Sequence, residues 1–337
     1  MTSTLVPIRE LQALAERCLI AANTSQWNAE AVARALVQAD IDGQSGHGVV
    51  RVGTYSAQSR TGKVDGHAKP TVTRTRPGSL MIDVAHGFAF RAFELATDEL
   101  PKLARETGIA AAGFVRSHHA GVLGHPVERL AEQGMMALLF ANSPSAMTAW
   151  GGKRGVFGTN PIAFAAPRAG GDPIVVDLAL SQVVRGRILA AAQRGEPIPE
   201  GWANDAEGRP TTDAKAALKG TVLPIGGAKG AALALMVEIL AASLVGANHA
   251  FEATSLFDGE GPPPGIGQFL IAIDPGAFGG AVGAAKLELL ASLIEADEGA
   301  RLPGSSLRQR REAAERQGVE IEDHLLASLN EMAQGAE

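Results

Sequence analysis

The chain has 337 residues, 46% apolar and 20% charged, which allows one large or two ordinary globular domains and excludes a disordered or fibrous protein. A net charge of -6 without a basic face, and 4% aromatic residues, argue against nucleic acid as the main partner, because phosphate binding needs clustered Lys and Arg. Cys18 is the only cysteine, so neither an internal disulfide nor a thiolate metal site can form, and a reducing compartment fits.

The first stretch carries Arg9, Glu10, Glu16 and Arg17 inside its apolar pattern, unlike a signal-peptide core, and no apolar run reaches the length of a membrane span. The expectation is a cytoplasmic protein without membrane contact. From Pro7 to Ala22, Ile8, Leu11, Leu14, Ala15, Cys18 and Leu19 repeat at helical spacing. Asn28 reads as the N-cap of a second helix, Ala29 to about Ile41, with Val32, Leu36 and Val37 as its apolar stripe. That helix runs into DIDGQSGHGVVR, Asp40 to Arg51, where Gly43, Gly46 and Gly48 let the backbone approach a ligand closely. His47 can give or take a proton near neutral pH, and Arg51 offers a planar fork for a carboxylate. A proton donor beside a carboxylate clamp points to a small organic acid oxidised or reduced at the adjacent carbon. The alternative is a surface loop whose histidine caps a helix end.

Past Tyr55, the only tyrosine, a Gly/Pro turn region marks a boundary near Pro70. TVTRTRPGSLMIDVAHG alternates about an Arg76-Pro77-Gly78 turn and predicts a hairpin. Asp98 to Glu106 is predicted helical, GIAAAGFVRS is a buried strand running into His118 and His119, PVERLAEQG is a short helix and MMALLFANS a further strand. That rhythm belongs to a layered α/β domain, and PIVVDLALS adds a strand with Asp177 near its end. Glu196 to Gly220 is polar and rich in Gly and Pro, which predicts a long surface excursion or an arm around a partner. GGAKGAALALMVEILAASLVGA is the most apolar helix, expected to be buried on several sides. GQFLIAIDP reads as a strand, AKLELLASLIEADE as an amphipathic helix, and Glu322 to Met332 as a last short one, after a basic cluster beside Pro303 and Gly304.

No G-x-G-x-x-G stands between a strand and a helix, so a Rossmann domain is disfavoured despite 40 glycines. A nucleotide would be met by other loops or by helix starts such as GGAKG, where Lys229 can offset phosphate charge or simply be solvated. No metal is expected: His118 and His119 are adjacent and lack companion ligands. No G-x-S-x-G elbow supports a hydrolase, and Ser45 beside the His47 loop reads as a turn hydroxyl or a relay partner.

Seven stretches, taken in order, resemble one family: DGQSGHGVVRVGTY, SHHAGVLGHPVERLAEQG, ANSPSAMTAWGGKRGVFGTNPIAFAAPR, VVDLALSQVVRGRI, IPEGWANDAEGRPTTDAKAAL, LPIGGAKGAALALMVEILA and FLIAIDP. The family is that of malate/L-lactate dehydrogenase-like NAD(P)-dependent oxidoreductases, whose members act on malate, lactate, sulfolactate, ureidoglycolate and the cyclic imino acids Δ1-piperideine-2-carboxylate and Δ1-pyrroline-2-carboxylate. The resemblance implies an α/β fold, with a mixed-sheet NAD(P)-binding domain of non-Rossmann type over residues 76–284. It also implies a helical substrate domain built from both chain ends, 1–75 joined by 285–337, and a homodimer. It makes His47 the proton donor, with Arg51 and Thr159 holding the substrate. It gives His119, Ala120, Gly121, Val122, Leu123, Asp177, Leu178, Ala179, Lys229, Pro303, Gly304 and Arg308 to the cofactor, NADPH with NADH as the alternative. Two positions depart from many members: Gly46 stands where a serine precedes the catalytic histidine, and Ser143 where hydroxyacid-type members carry a lysine. Ser143 directs the reading to reduction of a cyclic imine, with open-chain 2-hydroxy acid oxidation as the alternative and a non-catalytic ligand sensor as the third reading.

Overall fold

A computed structural model describes residues 2–335; Met1 and residues 336–337, the outer ends of the expected helical domain, lie outside the described residues. The chain opens with β1 (Ser3–Val6), α1 (Ile8–Ala21) and α2 (Gln26–Ile41), followed by two single 3-10 turns, Ser45–His47 and Val49–Arg51, and α3 (Val52–Thr61). The periodicity of α1 holds: Leu11, Leu14, Ala15, Cys18 and Leu19 are buried. The cap of α2 is Ser25 rather than Asn28; its hydroxyl accepts from the Asn28 N–H at 3.3 Å. Asn28 lies inside the helix because its amide is needed elsewhere, donating to the carbonyls of Gly66 and Ala68 at 2.8 and 3.0 Å. No sequence pattern announced α3, since Ser56, Gln58 and Ser59 are buried beside Tyr55 and mask an apolar stripe.

The middle of the chain gives β2 (Thr71–Arg76), β3 (Ser79–Asp83), α4 (Ala89–Thr107), β4 (Ile109–Ser117), α5 (Gly124–Glu132), β5 (Met136–Ala141), β6 (Met147–Thr148), β7 (Gly155–Phe157), β8 (Ile162–Ala166) and β9 (Ile174–Leu178). There follow α6 (Arg185–Arg194), β10 (Ala203–Asn204), β11 (Pro210–Thr211), α7 (Ala214–Lys219), β12 (Thr221–Val222) and α8 (Ala228–Glu238), the last continued by a π-helical turn, Ile239–Ser243. The end is β13 (Ile266–Ile273), α9 (Gly280–Glu295), α10 (Leu307–Gln317), β14 (Val319–Glu322) and α11 (Asp323–Ala333). The predicted hairpin is β2 and β3, and α11 matches its prediction to within a residue. Helix α4 starts nine residues before the predicted Asp98, because Ala89, Phe90, Phe93 and Ala96 extend its buried face.

The main sheet is mixed and runs β2-β3-β4-β13-β5-β8-β9, with β3 and β4 its one parallel pair among the described residues. Leu80, Ile82, Phe114, Leu139 and Leu270 pack one face of it against Phe93 and Leu100 of α4 and Val127 and Leu130 of α5. The opposite face, through Phe140 and Phe269, meets α8 and a small sheet ordered β11-β10-β12-β6-β7. The polar stretch from Glu196 to Gly220 is the expected surface excursion, mostly exposed, and Ile198, Ala203, Ala214 and Ala217 anchor it in this second core. Helix α8 is buried on one side only, and in the single chain Leu233, Leu235 and Met236 stay exposed. The two ends of the chain meet as β1 pairs antiparallel with β14, and α1, α2, α3 and α11 share a third core around Leu11, Val32, Tyr55, Ile321 and Leu329. The expected boundary at 284/285 falls inside α9, of which only Ala291 is buried.

Candidate active site

The glycine loop folds tightly against the end of α2. The Asp40 carboxylate accepts from the Val49 N–H at 2.7 Å, and a Cβ on Gly48 would stand 2.0 Å from Asp40 Oδ1, so only glycine admits this close approach. Burial pushes the Asp40 carboxyl up to about 6, with the Val49 N–H acting in the opposite direction. Arg51 follows two residues later, its Nε donating to the Gly46 carbonyl at 2.8 Å and its guanidinium lying 4.9 Å from the Phe257 ring centre. The loop is braced from behind by Arg311 of α10, which meets Asp42 at 2.8 Å through Nε and again through a terminal nitrogen, and Glu128 of α5 at 2.7 Å. Burial alone would raise the Asp42 carboxyl, but Arg311 and His125 outweigh it and hold the group down at about 2.

His47 is half-buried between this loop and His119, whose ring stacks on it with centroids 5.4 Å apart and planes 14° from parallel. Burial first, then the charges of Arg51 and His125, lower the His47 pKa to about 4, so its imidazole is neutral at pH 7 in the ligand-free protein. His119 in turn lies 2.6 Å by Nδ1 from the Tyr55 hydroxyl. Its neighbour His118 points into the core, edge-on to Tyr55 and Phe88, with both ring nitrogens sealed and unpaired. Among the described residues no three His, Cys, Asp or Glu side chains are grouped to hold a metal. Ser45 is exposed, and its hydroxyl makes no hydrogen bond to His47 among the described residues; a Cβ at Gly46 would meet nothing within 4 Å. The departure from serine at 46 therefore has no steric cause.

Thr159 sits after β7 beside Ser143, whose hydroxyl accepts from the Thr159 N–H at 3.1 Å and lies 3.5 Å from its Oγ1. Both loops are pinned by a residue that the sequence reading missed, Glu238 at the end of α8. It is 4% exposed and accepts from Asn142 Nδ2 at 3.2 Å, Asn160 Nδ2 at 2.9 Å and the Ala250 N–H at 2.7 Å. Glu238→Ala leaves the Ala250 N–H without a partner and takes one of two acceptors from each of the Asn142 and Asn160 amides, and is expected to cost about 3–5 kcal/mol of stability, read by urea unfolding, since an unsatisfied buried donor costs about 1–3 kcal/mol. Glu238→Gln retains one acceptor oxygen and is expected to lose less than half of that.

Of the segments expected to meet a dinucleotide, residues 119–123 and 177–179 lie at the carboxyl ends of β4 and β9, whereas Pro303, Gly304 and Arg308 lie against the amino end of β9 and Lys229 on α8. Residues 119–123 join β4 to α5, and Asp177 at the end of β9 accepts from the Gly124 N–H at 2.8 Å, its carboxyl raised by burial. Leu178 is 41% exposed, while Ala179 is half-buried. Pro303 accepts from the Val175 N–H at 3.4 Å, Gly304 adopts a left-handed φ of 82° against Val175, and Arg308 pairs with Asp172 at 3.3 Å. Pro303 and Arg308 share a cavity of about 170 Å³ with Arg168, whose Nε is buried without a partner. A second cavity, about 430 Å³, takes in Ala120 and Val122 but neither His47 nor Arg51. Lys229 stands exposed in the first turn of α8, and no hydrogen bond or ion pair among the described residues ties it to the His47 group. The left-handed glycines 121 and 304 and the exposed Leu178 fit a ligand with apolar rings and anionic groups, while the Arg168 guanidinium is already paired with Glu288 and Glu295.

Residues 6–330 match the family model described as malate/L-lactate dehydrogenase. The chain is 47% identical to a (2R)-3-sulfolactate dehydrogenase (NADP(+)) of Chromohalobacter salexigens, covering 92% of this chain and 93% of that protein. It is 40% identical to a Δ1-pyrroline-2-carboxylate/Δ1-piperideine-2-carboxylate reductase of Pseudomonas putida, with 98% of each covered. The crystal structure of Δ1-piperideine-2-carboxylate reductase from Pseudomonas syringae superposes with a TM-score of 0.92 at 38% identity, covering 98% of this chain and 99% of that one.

Proposed function

The chain belongs to the malate/L-lactate dehydrogenase family, and from that premise we propose that it reduces a cyclic imino acid, Δ1-pyrroline-2-carboxylate or Δ1-piperideine-2-carboxylate, to L-proline or L-pipecolate with NAD(P)H. The observation that carries this reading is the placement of a half-buried imidazole and a guanidinium on one tight loop, His47 and Arg51, in a chain whose relatives at 37–41% identity include several reductases of these imines.

Arg51 offers its fork to the substrate carboxylate, and Thr159 provides the second contact. A carboxylate drawn to Arg51 offsets the guanidinium charge that, after burial, does most to hold His47 deprotonated, so substrate binding raises the imidazole pKa and favours the protonated ring that gives its proton to the imine nitrogen. Reduced nicotinamide, when bound, supplies the hydride. The residues that would hold it are the 119–123 segment, Asp177, Leu178, Ala179, Lys229, Pro303, Gly304 and Arg308, with NADPH preferred to NADH. Residues 1–75 with 285–337 then serve as the substrate-binding part and 76–284 as the cofactor-binding part; the helical ends and the sheet have distinct cores, with Phe88 and Phe90 of 76–284 joining that of the helical ends.

A second reading, oxidation of an open-chain 2-hydroxy acid, is favoured by the 47% identity to a sulfolactate dehydrogenase. Steady-state assays with NADPH and NADP+ separate the two. The imines are expected to turn over fastest, and faster turnover of sulfolactate, malate or lactate would replace the first reading by the second.

We also read the chain as a cytoplasmic homodimer. No helix among the described residues is long and apolar enough to cross a membrane, and the one cysteine is buried and unpaired. The apolar faces that the single chain leaves open support a second copy as their cover: Leu235 and Ile239 near the end of α8 are each 49% exposed, and Val282 and Leu293 of α9 each 71%. The double substitution Leu289→Glu, Leu293→Glu is expected to convert a dimer into a monomer by light scattering, and a monomeric wild type at micromolar concentration would overturn this reading.

A further inference from the structure

The mechanism above leaves Tyr55 unused and gives the His119 ring no role of its own, and the contact between the two determines where the His119 proton sits. The Tyr55 hydroxyl is wholly buried, with Phe88 and Phe90 ring centres 5.3 and 6.4 Å from its own, and among the described residues its single hydrogen-bond partner is His119 Nδ1 at 2.6 Å. Were Nδ1 protonated, it would donate to the phenol oxygen and leave the phenol O–H without an acceptor in an aromatic wall. The arrangement that satisfies both groups has the phenol donating to Nδ1, which leaves the neutral ring its proton on Nε2. Burial keeps Tyr55 protonated, and burial followed by the charges of His47, Arg51 and His118 keeps His119 uncharged.

The ring is half-buried, and Nε2 is not sealed, in contrast to both nitrogens of His118. It lies parallel to His47, so the two imidazoles border the same space, and the charge of either ring would disfavour charge on the other. Resting on the reading of that space as the substrate site, we propose that His119 donates an Nε2–H hydrogen bond, fixed by Tyr55, to the substrate carboxylate beside Arg51. This gives the His119 ring a substrate contact in addition to the place of its segment, 119–123, beside the cofactor. Its constant neutrality leaves His47 as the one imidazole that exchanges a proton.

Nitrogen-15 NMR of the ligand-free protein reads the tautomer directly. The Nε2–H form is expected for wild type, and a mixture of tautomers for Tyr55→Phe; an Nδ1–H form in wild type overturns the proposal. Calorimetric binding of pyrrole-2-carboxylate, a flat carboxylate that is not reduced, tests the contact. Gln presents its amide nitrogen near the position of Nε2 and Asn near that of Nδ1, so His119→Gln is expected to bind the probe within about threefold of wild type and His119→Asn at least about tenfold more weakly. Equal affinities for the Gln and Asn variants overturn the proposal, even if thermal stability falls in both, because a purely structural ring would produce that result. Neither measurement requires turnover, so failure of the imine reading in assays would leave this result standing, and the reverse also holds.

Discussion

His47→Asn is expected to lower imine turnover about a thousandfold, within the range of about 10²–10⁴ contributed by a positioned proton donor, with NADPH affinity changed less than about threefold. The asymmetry follows from what the ring touches. Among the described residues His47 makes no side-chain hydrogen bond and meets its neighbours through one stacked ring, so its removal strands no buried donor or acceptor. Loop geometry should survive as well, because the turn is held by Asp40 on the Val49 N–H and by the Gly46 carbonyl on Arg51. Steady-state kinetics and a fluorescence titration of NADPH check both halves. Loss of NADPH binding in step with turnover would make His47 a cofactor residue, and unchanged turnover would remove it from the chemistry. A protein that only senses its ligand would keep its response in this variant.

How much of this site could be read from the chain depends on sequence distance. His47 and Arg51 stood out because an imidazole and a guanidinium four positions apart among glycines form a local pattern, and Gly48 has its reason within the same loop, in the Asp40 carboxylate. The α/β order, the hairpin and the non-Rossmann character were likewise legible, since each rests on local periodicity or on a motif that is missing. Contacts between distant segments were not. Tyr55 meets His119 across 64 positions and Arg311 meets Asp42 across 269, and no spacing rule links such pairs. Glu238 looked like one polar residue on an apolar helix, and its role appears only when loops from three parts of the chain converge on it. Helix α3 misled for a related reason: polar side chains there turn inward, so polarity does not signal exposure.

Arg51→Met is expected to reduce kcat/KM for the imines by about 10²–10³, because the paired charge-assisted hydrogen bonds it removes are together worth about 3–4 kcal/mol. A second effect has the opposite sign. After burial, the Arg51 charge is the largest influence depressing His47, so its removal raises the imidazole pKa from about 4 toward the ordinary histidine range. Reduction uses the protonated ring, and kcat/KM reports the free enzyme, so its logarithm falls with rising pH once the free His47 loses its proton. In the Met variant this fall is expected to begin at higher pH than in wild type, while Arg51→Lys, which retains the charge, keeps the wild-type profile at lower affinity. Because all three proteins act on the same imine, titration of the substrate nitrogen cancels in the comparison. A Met profile that coincides with wild type would break the electrostatic link between the clamp and the proton donor, and a KM unaffected by either substitution would remove Arg51 from the carboxylate.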